Sequence, residues 1–371
     1  MDKKSPNGWR QALARFGADD RVLASLEAAV DEAADPVTPG RVTRVEHSLA
    51  TVLTAAGQLR VNLPRGEQVC AGDWVLVTAV AEPAVAHVLP RRTELVRHAT
   101  SKKTQAQTLA ANIDEVFIIV AADQSLSLGR IERFLAIVWE SGATPVVVLT
   151  KSDLLAPEAD GPLLTATMGA APGAEVCLVS AVTGDGIGEL AGRLGPGRTA
   201  VLIGSSGAGK SSLLNAIFFW PEINPTAAGE EVAATAEVRE ADGKGRHKTA
   251  WRELVVLGSG GAVIDTPGLR GLGMWLDEGG LDAAFAEIAE LAGSCRFADC
   301  GHDTEPGCAV TAAIEAGTLD PRRLASYRKL EREAAYVARK TDVRARQEQA
   351  RIWRARAAEA RTRTRRPTRY S

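Results

Sequence analysis

The chain has 371 residues, of which 45% are hydrophobic and 24% are charged, and its formal net charge is −2. These fractions are those of a soluble globular protein with two or three domains. No run of about 18 apolar residues is present and the first ten residues lack a signal-peptide apolar region, so we expect no membrane association, a cytoplasmic location and no disulfides.

The N-terminal third predicts a small β-rich domain behind a helical or loosely ordered extension, residues 1–38. Five short β-rich runs follow, at 41–45, 49–54, 58–61, 73–80 and 84–89. Five strands in some fifty residues are typical of a small closed barrel, and we expect an OB-fold over residues 39–95. Such barrels often bind nucleic acid but many are only spacers, so the pattern indicates the fold more than its use.

Beyond residue 96, buried strands alternate with helical segments. Continuous apolar runs occupy residues 114–121, 144–149, 175–179, 199–203 and 261–264. Strands that alternate with helices predict a mostly parallel sheet with crossover helices, here in a domain over residues 96–276.

A polar tetrapeptide directly follows the strand at 144–149: Thr150, Lys151, Ser152 and Asp153. The Asp153 carboxylate can accept hydrogen bonds from N1–H and the exocyclic amine of guanine, donors that adenine does not match. The stem of Lys151 can cover a face of the purine. Ser180 and Ala181 end the next strand, where a backbone N–H can meet guanine O6. Taken alone the tetrapeptide is best interpreted as an ordinary polar turn, but together with the other motifs described below it indicates a guanine site.

A glycine-rich loop between a strand and a helix has the P-loop spacing. Its residues are Gly204, Ser205, Ser206, Gly207, Ala208, Gly209, Lys210, Ser211 and Ser212. Glycines let successive N–H groups converge on phosphate oxygens, and the start of the helix adds its positive dipole end. Lys210 is the expected cation for the β- and γ-phosphates, and the Ser211 hydroxyl is an expected Mg²⁺ ligand. The loop predicts a nucleoside triphosphate site but not the base.

The last predicted strand of the sheet ends in Asp265, Thr266, Pro267 and Gly268. Asp265 is suited to bind Mg²⁺ through water, and the Gly268 N–H to bind the γ-phosphate. Leu269 stands where many GTPases place a water-orienting Gln, so we expect slow intrinsic turnover. His247 is the candidate for the polar group that would orient the water instead, although it is equally well interpreted as a solvated residue. Thr249 is a further candidate Mg²⁺ ligand.

These four elements together indicate a GTPase in which the order of the elements is unusual. Most GTPases begin with the phosphate loop, whereas here Asp153 and Ser180 precede Gly204, so we expect a circularly permuted domain. The segment that senses the γ-phosphate is then joined directly to the cysteine-bearing region, and movement of that segment could pull on it.

The C-terminal part predicts a zinc-binding helical domain over residues 277–338 and a basic tail over residues 339–371. Cys295, Cys300, His302 and Cys308 offer three thiolates and one imidazole, a set that suits tetrahedral Zn²⁺ in a closed structural site. The tail has twelve Lys or Arg and three Asp or Glu, a local charge of +9 that leaves −11 for the rest. It indicates either a polyanionic partner such as RNA or a solvated end.

This combination resembles the ribosome small subunit-dependent GTPase A family. The resemblance covers residues 40–340. It implies GTP hydrolysis that is stimulated by the small ribosomal subunit and that takes place late in the maturation of that subunit. It also implies that the barrel and the zinc domain bind ribosomal RNA. It assigns the nucleotide to Thr150, Lys151, Asp153, residues 204–212 and residues 265–268, and the zinc to the three cysteines and His302. Thr150 departs from the Asn of many GTPases, which removes an amide that braces the phosphate loop, and residues 245–250 match the family's switch only partly.

Two other interpretations stay open at this stage. In one, the GTPase is stimulated by a protein, and the tail is incidental. In the other, the chain is a nucleotide-gated RNA-binding or assembly chaperone with negligible hydrolysis, which Leu269 favours. We expect a monomer that binds GTP and GDP.

Overall fold

The computed structural model describes residues 8–64, 66–98, 106–123, 126–224, 253–265, 278–303 and 305–341. The extension is helical, as predicted, with α1 at Gly8–Ala14 and α2 at Asp20–Glu32. The Asp19 side chain accepts a hydrogen bond from the Val22 amide and so caps α2. Both helices pack on the β-rich domain through buried side chains such as Leu13 and Leu26.

The five predicted strands of the β-rich domain are confirmed to within a few residues. They are β1 Val37–Glu46, β2 Leu49–Thr54, β3 Gly57–Asn62, β4 Trp74–Thr78 and β5 Val85–Val88. They pair antiparallel in the order β3-β2-β1-β4-β5, and a bridge between Asn62 and Ala84 brings the end of β3 to the start of β5. Mostly valine side chains fill the interior, while α1 and α2 cover the outside at Trp74 and Leu76.

A hairpin that the sequence pattern did not predict follows the five strands. It comprises β6 Glu94–His98 and β7 Ala106–Ala111, and the boundary expected near residue 95 falls within it. Buried Asp73 of the β-rich domain pairs with Arg91, whose Nε lies 2.8 Å from a carboxylate oxygen. Arg91 also donates to Glu94 of β6 at 3.0 Å and to Thr108 of β7 at 3.1 Å, which fastens the hairpin to the preceding strands.

Five parallel strands form the central sheet and confirm the predicted α/β pattern. They are β8 Glu115–Ala121, β9 Thr144–Thr150, β10 Glu175–Leu178, β11 Thr199–Gly204 and, last in the chain, β13 Ala262–Asp265. Their order is β10-β9-β8-β11-β13, and β12 Glu253–Val256, which was not predicted, joins antiparallel to β13. One residue pair, Arg44 with Glu253, continues the sheet into β1.

The helices that connect these strands cover both faces of the sheet. They are α3 Leu128–Glu140, a 3-10 helix Ser152–Leu154, α4 Asp160–Ala170, α5 Ile187–Gly192 and α6 Lys210–Phe218. Alternate residues of β8 enter opposite cores, Val116 and Ile118 on one face and Phe117 and Ile119 on the other. A strand buried on both faces explains the continuous apolar runs of the sequence.

Arg41 of β1 fastens the β-rich domain to the central sheet. Its guanidinium is fully buried, stacks 4.7 Å from the Trp74 ring, and donates to the Thr199 hydroxyl at 2.8 Å and to the Phe16 carbonyl at 2.6 Å. Burial lowers the pKa of Arg41 to about 9, so it remains cationic at neutral pH. One side chain thus joins the extension, the β-rich domain and β11.

Four helices follow the sheet: α7 Glu278–Ala284, α8 Ala286–Ala292, α9 Ala309–Glu315 and α10 Pro321–Thr341. Their apolar side chains, such as Phe285 and Leu324, share one core with α3 and the sheet. Among the described helices, none combines the length and apolar character needed to cross a membrane.

Candidate functional site

The predicted nucleotide residues emerge at one edge of the sheet. Because β8, β9, β10, β11 and β13 are parallel, their carboxyl ends meet there. Adjacent registers pair Leu149 with Leu178 and Leu202 with Asp265. The structure therefore brings together the tetrapeptide, the Ser-Ala strand end, the glycine-rich loop and Asp265, which lie far apart in the sequence.

The glycine-rich loop has the backbone that its sequence predicts. A Cβ on Gly204 would lie 2.4 Å from the Ile119 carbonyl oxygen, and Gly209 has a φ of 88°, which glycine tolerates best. Helix α6 begins at Lys210, whose ammonium donates to the carbonyls of Gly204 at 3.1 Å and Ser205 at 2.7 Å. A loop with exposed N–H groups at a helix start is suited to hold an anion.

Thr150 contacts the glycine-rich loop directly. Its buried hydroxyl donates to the Ala208 carbonyl oxygen at 2.6 Å, across 58 residues of chain. Thr150 lacks the amide that an Asn would offer, but its hydroxyl makes a hydrogen bond of its own to the loop. This contact is possible because β9 and β11 hold the two segments at the same edge.

The tetrapeptide and the Ser-Ala strand end lie side by side. Buried Ser180 donates its hydroxyl to an oxygen of exposed Asp153 at 2.6 Å, and the same hydroxyl accepts from the amides of Val182 and Thr183. These bonds fix the orientation of the Asp153 carboxylate at the rim of the sheet. Ser152 and Ala181 lie next to them and are half-buried.

Lys151 is held at both its backbone and its ammonium group. It has a left-handed backbone, with φ 62° and ψ 39°, and its Nζ lies 2.9 Å from an Asp123 oxygen. Asp123 was not among the predicted site residues. Its only sequence signal is its place just beyond a buried parallel strand, where site residues collect.

Asp265 ends β13 beside the glycine-rich loop. Burial raises the pKa of its carboxyl group, and the nearby Lys210 cation opposes this shift. A half-buried carboxylate next to the loop lysine is available to a cation at that point. The other predicted residues of this part of the site, Gly268, His247 and Thr249, lie outside the described residues, as does Leu269.

The predicted metal ligands form a second cluster, between α8 and α9. The donor atoms of Cys295, Cys300, His302 and Cys308 all lie within 4.8 Å of one another. His302 Nδ1 lies 3.6 Å from the sulfurs of Cys295 and Cys308, which are 3.9 Å apart. Such a set of four donors could hold a metal ion.

The thiols of this cluster differ in acidity. Burial raises the pKa of Cys308, but hydrogen bonds from Thr311 and His302 outweigh it and lower the pKa to about 6. The Cys300 thiol receives a backbone hydrogen bond from His302, yet burial and its thiol neighbours raise its pKa to about 11. At neutral pH a metal ion would therefore displace protons from part of the set.

Comparison with known proteins gives consistent matches. The sequence model of the RsgA GTPase family matches residues 88–275. A Streptomyces coelicolor protein, "Small ribosomal subunit biogenesis GTPase RsgA", is 47% identical over 94% of this chain and 93% of its own. An Opitutus terrae protein of the same name is 43% identical over 89% and 92% of the two chains.

Two solved structures resemble this fold. YjeQ from Thermotoga maritima has a TM-score of 0.58 and 26% identity, over 81% of this chain and 99% of that one. YloQ, described as a circularly permuted GTPase, has a TM-score of 0.56 and 25% identity, over 81% and 96%. The likeness to YloQ agrees with the order found in this chain, in which the glycine-rich loop follows the predicted base-reading residues.

Proposed function

The chain belongs to the RsgA GTPase family, and we propose that it hydrolyses GTP to GDP and phosphate under stimulation by the small ribosomal subunit. The relatives named above are small ribosomal subunit biogenesis GTPases, which supports late maturation of that subunit as the process. We propose that the protein acts there as a cytoplasmic monomer.

One observation carries the proposal: the Thr150 hydroxyl bonds to the glycine-rich loop while Asp153, three residues on, stands at the same edge. In this account Asp153 reads the guanine edge, Lys151 covers a face of the base, and Ser180 with Ala181 completes the base pocket. Residues 204–212 hold the phosphates. An adenine would leave the Asp153 carboxylate without its donors, which costs roughly 1–3 kcal/mol.

The chemistry requires a metal ion and an activated water. We assign Mg²⁺ to the Ser211 hydroxyl, to Asp265 through water and to Thr249, and the phosphate charge to Lys210. The Gly268 amide would contact the γ-phosphate. His247 would orient the water, since Leu269 cannot. Mg²⁺ supplies charge neutralisation when bound, and the resting contacts of Lys210 on loop carbonyls would be exchanged for phosphate oxygens.

The cysteine cluster fits zinc. Tetrahedral Zn²⁺, with Zn–S about 2.3 Å and Zn–N about 2.0 Å, places two sulfurs about 3.8 Å apart and sulfur and nitrogen about 3.5 Å apart. The distances of 3.9 Å and 3.6 Å match these values. Four protein donors leave no open position, so the role we propose for zinc is to staple the loop between α8 and α9.

The remaining units would contact ribosomal RNA. We propose that the five-stranded domain is an OB-fold barrel over residues 39–95, on the support of its strand order and the Asn62–Ala84 bridge. Residues 96–276, 277–338 and 339–371 are the proposed GTPase domain, zinc domain and basic tail. The charge of the tail suits a polyanion.

The direct test is a GTPase assay with Mg²⁺, titrated with purified small subunits and, in parallel, with large subunits. The proposal predicts slow hydrolysis alone and a saturable rise of at least tenfold with small subunits only. An equal response to both subunits, or a response that persists after RNA is removed, would contradict it. Single-turnover hydrolysis that stays negligible with small subunits would instead support an RNA-binding chaperone that is gated by nucleotide.

A further inference from the structure

We propose that Asp123 is a positioning residue for the base: it holds the ammonium of Lys151 so that the aliphatic stem of Lys151 is ready as a platform for the purine face. The inference rests on the proposed guanine site. It adds to that site a carboxylate that no motif marks.

The pairing of two neighbouring strands places Asp123 and Lys151 next to each other. Ala121 of β8 is in register with Thr150 of β9, and the Ala122 amide donates to the Thr150 carbonyl at 2.8 Å. The strands β8 and β9 therefore stay hydrogen-bonded up to the residues that precede Asp123 and Lys151. The two charged side chains leave the sheet from the same point.

Lys151 is constrained along its whole length. Its backbone is left-handed, a conformation that residues other than glycine rarely adopt, and such positions concentrate at functional sites. At the far end its Nζ lies 2.9 Å from the Asp123 carboxylate. With the backbone and the ammonium both fixed, the methylene stem between them loses most of its freedom before any ligand arrives.

The position of Lys151 in the chain connects this constraint to the base. It directly precedes the 3-10 helix that carries Asp153, and the Ser152 amide donates to the Val179 carbonyl at 3.2 Å, next to Ser180. The carboxylate that would read the purine edge and the stem that would cover its face therefore belong to one rigid turn. Ordering the stem in advance lowers the entropic cost of binding a flat ring.

The size of the effect follows from exposure. The side chains of Lys151 and Asp123 are 31% and 23% exposed, so their direct attraction is modest. We therefore expect removal of Asp123 to weaken nucleotide binding by about three- to fivefold. Because the stem contacts the face and not the edge of the base, guanine and hypoxanthine nucleotides are expected to suffer equally.

The experiment measures dissociation constants for GDP, IDP and ADP on the full chain with Mg²⁺, by titration calorimetry. The variants are Asp123→Ala, Asp123→Glu, Lys151→Met and the double variant of Asp123→Ala with Lys151→Met, and Asp185→Ala is the control for loss of a carboxylate at the same edge. Met keeps an unbranched apolar stem without the ammonium, so Asp123 has nothing to hold in that background.

The proposal predicts that Asp123→Ala weakens the binding of GDP and of IDP by the same factor, and that Asp123→Glu binds both nearly as well as the wild type. In a protein that already carries Lys151→Met, adding Asp123→Ala is expected to cause no further loss of affinity. The proposal would be overturned if the losses of affinity from Asp123→Ala and Lys151→Met were additive in the double variant. It would also be overturned if Asp123→Ala lost no more affinity than Asp185→Ala. A wild-type protein that does not prefer GDP over ADP would refute the proposed guanine site itself, which is a distinguishable result.

Discussion

At the scale of single residues, the site depends on hydrogen bonds between segments that are distant in the sequence. The Thr150 hydroxyl reaches Ala208, and the Ser180 hydroxyl reaches Asp153. Each bond orients a loop that would contact nucleotide, and each uses a small hydroxyl at the end of a parallel strand. A substitution that keeps the shape but removes the hydroxyl therefore isolates the bond.

Thr150→Val is expected to weaken binding of GTP and GDP by about five- to twentyfold, since it leaves the Ala208 carbonyl without its partner at a cost of roughly 1–2 kcal/mol. Thr150→Ser keeps the hydroxyl and is expected to stay within about twofold of the wild type. Titration calorimetry with GDP measures both variants. Equal affinities for the Val and Ser variants would show that the hydroxyl does not brace the loop.

The sequence predicted those site residues that belong to a motif whose members lie close together in the chain. Gly204 to Lys210 and the cysteine cluster have fixed spacings, so their types alone indicate phosphate and metal. Asp123 and the bond of Thr150 to Ala208 lacked such a pattern. They follow from strand order and register, which no local spacing encodes.

At the scale of elements, a buried charge network joins α3 to the C-terminal helices. Glu132 of α3 is fully buried and accepts from Arg323 of α10 at 3.0 Å and from Arg322 at 2.8 Å. Arg323 also donates to Glu287 and to the Ala284 carbonyl, and its guanidinium lies 4.2 Å from the Phe285 ring. These side-chain contacts of Arg323 join α10 to α3, α7 and α8, so the arginine fixes the four C-terminal helices (the C-terminal module) to α3.

Arg323→Met is expected to lower the free energy of unfolding by about 3–5 kcal/mol, because it leaves the buried Glu132 carboxylate short of a counterion. Urea denaturation measures the loss. Glu333→Gln, which breaks the half-exposed pair with Arg133 on the same two helices, serves as a control with an expected loss below about 1 kcal/mol. Similar losses in the two variants would contradict this role for the network.

Most elements could be predicted from hydrophobic pattern, and the exceptions have physical reasons. The five parallel strands are buried on both faces and read as continuous apolar runs, such as β8. Strand β12 has only four residues, with Glu253 exposed and Leu254 buried, which is too short a pattern to recognise. The buried residues of β6 and β7, such as Leu95 and Leu109, pack into the core that α3 and the central sheet share, so the short strands themselves give little signal in the sequence.

At the scale of the whole molecule, two units are anchored to the central sheet on different elements. The β-rich domain is held at Thr199, the first residue of the strand that leads into the phosphate loop, by buried Arg41. The C-terminal module is held on α3 by Arg323. Arg41 and Arg323 therefore hold the two units on separate elements of the central domain, β11 and α3.

The central claim is that Asp153 and the loop of Lys210 form one site that selects guanine. Competition of GDP against xanthosine diphosphate tests it most directly, with Asp153→Asn compared with the wild type and with Asp185→Asn. The account predicts that Asp153→Asn lowers the preference for GDP roughly 10- to 100-fold, since the amide cannot accept both guanine donors but can donate to the xanthine oxygen. An unchanged preference in Asp153→Asn would contradict the account.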